Sequence, residues 1–91
     1  NSVPLIKTLS EKIICNEFSN SFSKEKIYSI YNFSSNKTEG RILKLTSAVK
    51  EFKQIYGKDA NIKIEKKQNI FYLLANLDVD DVILLNIKFD I

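Results

Sequence analysis

The stretch Arg41–Gly57 reads RILKLTSAVKEFKQIYG, and whether it is helix or strand decides the fold. Ile42, Leu45, Val49, Phe52 and Tyr56 recur in steps of three and four, the spacing that lines one face of a helix with apolar side chains. Leu43 and Ile55 broaden the stripe. Asn36 and Glu39 stand ahead of it in capping-box spacing, and Gly57 behind it suits a left-handed C-cap. The pattern predicts a helix over 37–56. Gly40 in its first turn costs about 1 kcal/mol relative to Ala.

Towards the N-terminus, Leu5, Ile6, Leu9, Ile13, Ile14 and Phe18 also fall at helical spacing, with Lys7, Glu11, Lys12 and Glu17 largely opposite. With Pro4 at a first helical position, these residues predict a helix over 4–18. Ser23 is an N-cap candidate for a second helix over 24–33, with Glu25 in its first turn. That segment carries Ile27, Tyr28, Ile30, Tyr31 and Phe33, too dense for one stripe, so it is expected to be buried among its neighbours.

Beyond Gly57 the period changes from 3.6 to 2. Asn61-Ile62-Lys63-Ile64-Glu65-Lys66 alternates strictly and predicts a half-buried strand over 61–66. Lys67-Gln68-Asn69 reads as a polar turn. Ile70–Ala75 is nearly all apolar and rich in strand formers, which predicts a central strand over 70–77. Asp78-Val79-Asp80-Asp81 reads as a second turn before a last strand over 82–90. The expected fold is therefore α+β, three N-terminal helices followed by a three-stranded antiparallel meander. That order resembles a winged-helix module, in which the third helix enters the major groove and the wing reaches a flanking backbone.

Composition narrows the chemistry. The chain has 91 residues, 44% hydrophobic and 27% charged, as expected of one globular domain. Met is absent, so the chain is expected to be a domain excised from a larger protein. No apolar run reaches the roughly 18 residues of a membrane span, and no secretory signal is visible. With no His and one Cys, the sequence lacks Ser-His-Asp triads, Cys-His dyads and His- or Cys-based zinc sites. Cys15 sits in Ile13-Ile14-Cys15 and reads as a small core residue. Being unpaired, it favours a reducing, intracellular setting. No cofactor, metal or small-molecule substrate is expected, and the chain reads as a non-catalytic binding module.

Two surfaces are candidates for that binding. Net charge is +3, but residues 1–40 carry +1, residues 41–70 carry +5 and residues 71–91 carry −3. On a third helix Arg41, Lys44, Lys50 and Lys53 would project into solvent, and Lys66 and Lys67 would sit at the tip of a wing. Those six residues are the candidate contacts to a nucleic-acid backbone. With a single Arg in the chain, base-specific readout is the lesser part of that expectation. The alternative surface is the last strand. Val82, Ile83, Leu84 and Leu85 are apolar at four consecutive positions, so both faces of that strand begin apolar. The helices explain one parity, and Val82 and Leu84 are then left for a protein partner or a homodimer. Asp78, Asp80 and Asp81 are too few for a calcium loop and read as a turn. Asn32-Phe33-Ser34 and Asn36-Lys37-Thr38 match the N-glycosylation pattern, as chance allows among nine Asn.

Overall fold

The computed structural model of the chain describes residues 5–19 and 24–91. Among them there is no helix. The chain forms β1 (Leu5–Ile6), β2 (Ile13–Ser19), β3 (Glu25–Asn32), β4 (Thr38–Leu45), β5 (Val49–Tyr56), β6 (Lys63–Lys67), β7 (Ile70–Leu77) and β8 (Val82–Phe89). They build a five-stranded sheet of order β1-β2-β3-β8-β5 and a three-stranded sheet of order β4-β7-β6, antiparallel throughout. The fold is an all-β sandwich. The expected α+β class and the winged-helix-like arrangement are both overturned.

Bulges explain why Arg41–Gly57 mimics a helix. β4 slips register between Arg41 and Leu43 where it pairs with β7, so Ile42 and Leu43 are both buried, and Leu45 follows two residues later. β5 slips between Val49 and Glu51 and again between Gln54 and Tyr56. Each extra residue turns a strand step of two into a step of three, which is what a 3.6-residue period also produces. The 37–56 segment is thus two strands joined at Thr46-Ser47-Ala48. Gly57 does take a positive φ, +94°, but at the end of a strand, where a Cβ would lie 2.5 Å from the Val82 carbonyl oxygen.

The 24–33 segment is β3, as its β-branched and aromatic content favours once partners lie on both sides. The 4–18 segment contributes β1 and β2, with Ile13 and Cys15 buried and Ile14 and Phe18 on the opposite face. Pro4 and Ser23, expected as helix starts, lie outside the described residues.

The C-terminal strands stand where the alternation puts them, but not as a meander. β6 and β7 form a hairpin across Gln68 and Asn69, whose φ of 51° and 67° define a type I′ connection. β8 leaves that sheet and pairs with β3 and β5. The turn before it explains the departure. Asn32 N–H donates to Asp81 O at 3.0 Å and Asp80 N–H to Asn32 O at 3.0 Å, so residues 80–81 are tied to the end of β3.

The core lies between the two sheets. Cys15, Ile30, Ile83, Leu85 and Ile87 of the larger sheet face Ile42, Leu43, Leu73, Ala75 and Leu77 of the smaller one, all at most 1% exposed. Asn32 is buried at one end of this core.

Candidate docking surface

Residues opposite one another in an antiparallel ladder share a face, so register assigns the outer surface of the larger sheet directly. One cross-strand row runs Ile14, Tyr31, Val82 over β2, β3 and β8. The next runs Asn16, Ser29, Leu84 and reaches Tyr56 on β5. A third runs Phe18, Ile27, Asn86, Lys53. Ile14, Phe18, Ile27 and Val82 are each 37–43% exposed. Phe33 extends the apolar area, its ring 6.1 Å from that of Tyr31. Charge gathers at the far end, where Glu25 pairs across to Lys88 and Lys88 to Glu51.

Val82 and Leu84 thus project from the parity the sequence assigned to a partner, and the structure sets them among Ile14, Phe18, Ile27 and Tyr31. Ile14 and Phe18 escaped the sequence reading because a helical stripe placed them in the core, and Ile27 and Tyr31 because their dense apolar segment was expected to be buried on all sides. The signal for them was present, since Ile27, Tyr28, Ile30 and Tyr31 make β3 apolar on both faces, as Val82–Leu85 does for β8.

The six basic candidates separate. Arg41, Lys44 and Lys67 share the outer face of the smaller sheet, opposite Leu74, Tyr72 and Ile70 of β7. Lys66 takes the other parity, its Nζ 5.7 Å from the centre of the Phe71 ring. Lys53 lies on the larger sheet's outer face, and Lys50 occupies the β5 bulge. No recognition helix unites them.

Two of the four edge strands of the sandwich are guarded. β5 carries two bulges together with Lys50, Glu51 and Lys53, and β6 is short and carries Lys63, Lys66 and Lys67. Both are devices that discourage strand addition. A cavity of about 310 Å³ between the two edges is lined by Val49, Lys50, Glu51, Phe52 and Ile64. Another of about 550 Å³ at the end of β5 is lined by Gln54, Ile55, Tyr56, Gly57 and Asp59. The polar groups beside it serve the loop. Gln54 Nε2 donates to the Tyr56 and Lys58 carbonyls at 3.1 and 2.5 Å, and Gln54 Oε1 accepts from Ala60 N–H at 3.0 Å.

The aspartates at 78–81 close a turn. Asp81 Oδ2 accepts from Asp78 N–H at 2.8 Å, Asp80 Oδ1 accepts from the Tyr31 hydroxyl at 3.2 Å, and Lys58 Nζ lies 3.3 Å from Asp78 and 3.7 Å from Asp81. No group of three metal-ligating side chains occurs among the described residues. Asn32 is fully buried, with its Nδ2 donating to the Asn36, Leu77 and Asp78 carbonyls. In the folded protein that amide is therefore closed to glycosylation.

Cys15 is a core residue. Burial, aided by the Glu17 carboxylate, pushes its thiol from 9.0 up to about 12. Burial and a 2.8 Å hydrogen bond donated to Glu17 likewise raise the Tyr28 hydroxyl above its ordinary 10.0. Both pKa values are higher in the folded state, so the stability these groups lend is intact below about pH 9 and declines as pH rises further. Each group's loss amounts to about 1.4 kcal/mol per pH unit. The thermal midpoint should stay level from pH 7 to 9 and fall steeply above it. Ellman's reagent should label Cys15 at pH 8 after denaturation but not before, and rapid labelling of the native protein would contradict this placement.

Comparison with known proteins finds no matching protein family, no matching curated relative and no matching solved structure. No helix among the described residues is long and apolar enough to cross a membrane.

Proposed function

We propose that this domain is a non-catalytic protein-docking module, and that the docking surface is the outer face of the five-stranded sheet. The observation that carries the reading is the apolar side chains of Ile14, Tyr31 and Val82 in one row and of Phe18 and Ile27 in the next row but one, with Leu84 beside Asn16 and Ser29 in the row between them. Large apolar side chains clustered on a sheet face mark an interaction site. The contrast with the edge strands β5 and β6 supports it, because charge and bulges run along them, whereas charge on this face gathers at the end that carries Lys53, Glu25, Lys88 and Glu51.

The partner that fits is a second copy of the domain. Glu25 and Lys88 form one cross-strand pair, so a two-fold axis running between β3 and β8 sets acid against base. Four strands about 4.8 Å apart and about seven residue steps long give a face of roughly 400–500 Å² in projection. That is below the roughly 800 Å² each partner buries in a standard complex, so the dimer belongs to the weak, transient class.

Sedimentation equilibrium should show a monomer at micromolar concentration and reversible dimerisation towards millimolar. Val82→Lys with Leu84→Lys should abolish dimerisation while far-UV circular dichroism stays unchanged. A strictly monomeric protein at millimolar concentration, or a dimer indifferent to that pair, would overturn the reading.

A further inference from the structure

The outer face of the smaller sheet carries a second site, independent of the first. Its cations are Arg41 and Lys44 on β4 and Lys63 and Lys67 on β6, with Glu39 and Glu65 as the acids on the same face. Glu39 is engaged by Lys37 at 3.1 Å, and Glu65 Oε1 accepts from Arg41 Nε at 2.7 Å and lies 2.5 Å from Nη2. Among the described residues no acid within ion-pairing distance neutralises Lys44, Lys63 or Lys67. The face is thus left strongly positive.

Its centre is built rather than scattered. The Arg41 guanidinium lies over the Tyr72 ring, 4.2 Å from its centre, and Glu65 holds it there from the next strand but one. The pile presents a planar cation braced on an aromatic ring, with the Arg41 side chain still 39% exposed. Lys44 stands directly opposite Tyr72, and Lys63 directly opposite Leu74, which itself faces Arg41. Lys67 lies four residues further along β6, about 14 Å from Lys63.

We infer that this face binds single-stranded nucleic acid, with Lys44, Lys63 and Lys67 against phosphates and a base stacked on the Arg41–Tyr72 pile. A positive track beside a stacking platform is how sequence-tolerant single-strand binding works. A flat three-stranded face offers no element to enter a major groove, so duplex is the poorer ligand. Ile70, Tyr72 and Leu74 are half-buried rather than protruding, so the face has no apolar wedge for a lipid surface.

The test is fluorescence anisotropy of this chain with labelled dT12, a 12-base-pair duplex and polyglutamate, at 50 and 200 mM salt. Binding of dT12 should exceed that of duplex. With three or four phosphates neutralised at about 0.7 log units each, it should weaken roughly 20–50-fold between the two salts. Lys44→Glu with Lys63→Glu should weaken it at least about 10-fold at 50 mM. Tyr72→Leu keeps the charge and the apolar packing, and should cost dT12 about 5-fold or more while leaving polyglutamate unchanged. Val82→Lys with Leu84→Lys should leave dT12 binding intact, which separates this site from the docking face. No dT12 binding at 50 mM, indifference to the charge reversals, or polyglutamate bound as tightly with no effect of Tyr72→Leu would each overturn the inference.

Discussion

Leu85→Lys is expected to leave no folded population at 25 °C, whereas Leu84→Lys, one residue away, changes stability by no more than about 1 kcal/mol. Leu85 is 0% exposed between the sheets, opposite Tyr28 on β3 and Gln54 on β5. Truncating a leucine at such a site typically costs about 2–5 kcal/mol. An unpaired ammonium buried there adds several kcal/mol more. Together these approach or exceed the roughly 5–15 kcal/mol that holds a domain folded. Leu84 projects the other way, beside Ser29 and Tyr56, on the half-solvated face. A lysine there lays its stem along the sheet and keeps its charge in water. Urea unfolding followed by circular dichroism measures both. Equal damage at the two positions would refute the face assignment on which the docking surface rests.

That pair also shows how much of this molecule was legible beforehand. Val82–Leu85 announces a strand apolar on both faces. Because Ile87, Phe89 and Ile91 continue one parity of that run, Val82 and Leu84 were separable from Ile83 and Leu85, and the structure buries Ile83 and Leu85 and leaves Val82 exposed. β7 and the Gln68-Asn69 turn were legible for the same reason, because unbroken period-2 alternation or a short apolar run between polar turns has few other readings.

Arg41–Gly57 was not legible, and the cause is physical. A bulge adds one residue without changing which face the strand turns inward, so Ile42 and Leu45 in one strand and Val49 and Phe52 in the next acquire helical steps of three, while the step from Leu45 to Val49 crosses the connection and Tyr56 lies on the outer face. Nothing local to the segment reports the bulge, because it exists only in the pairing with β7 and β8. The destination of β8 was equally invisible. It is set by hydrogen bonds between residues 80–81 and Asn32, 48–49 positions earlier in the chain. Losing the third helix dispersed the basic candidates as well. Lys50 and Lys53 went to one sheet and Arg41, Lys44 and Lys67 to the other, where Lys63 and Tyr72 join them.

Asn32→Asp should be the most damaging isosteric change in the chain, at about 4 kcal/mol or more near pH 7. Nδ2 donates to Asn36 O at 3.1 Å, Leu77 O at 3.0 Å and Asp78 O at 3.1 Å, while Oδ1 accepts from Ser34 N–H at 3.0 Å and Ser34 Oγ at 2.8 Å. This one amide ties the end of β3 to the 33–37 loop, to the end of β7 and to the turn that delivers β8. A carboxylate keeps the accepting half and reverses the donating half, aiming negative oxygen at three carbonyl oxygens in a buried site. Each polar group left unmatched there costs about 1–3 kcal/mol, and more when charge is involved. Burial and the carbonyls both raise the introduced carboxyl's folded pKa above its unfolded value near 4. Protonation then restores a donor, so the deficit is smallest below about pH 4 and grows as pH rises towards 7. Asn32→Ala removes both the donating and the accepting hydrogen bonds without adding a titrating group, so its deficit should not share that pH dependence. Urea unfolding of both variants at pH 4.5 and 7.5 makes the comparison, with the Asp-minus-Ala difference expected to widen by about 1 kcal/mol or more at the higher pH. A difference that stays constant would mean that the introduced carboxyl does not meet those carbonyls in a buried site, and the junction of β3, β7 and β8 would need another explanation.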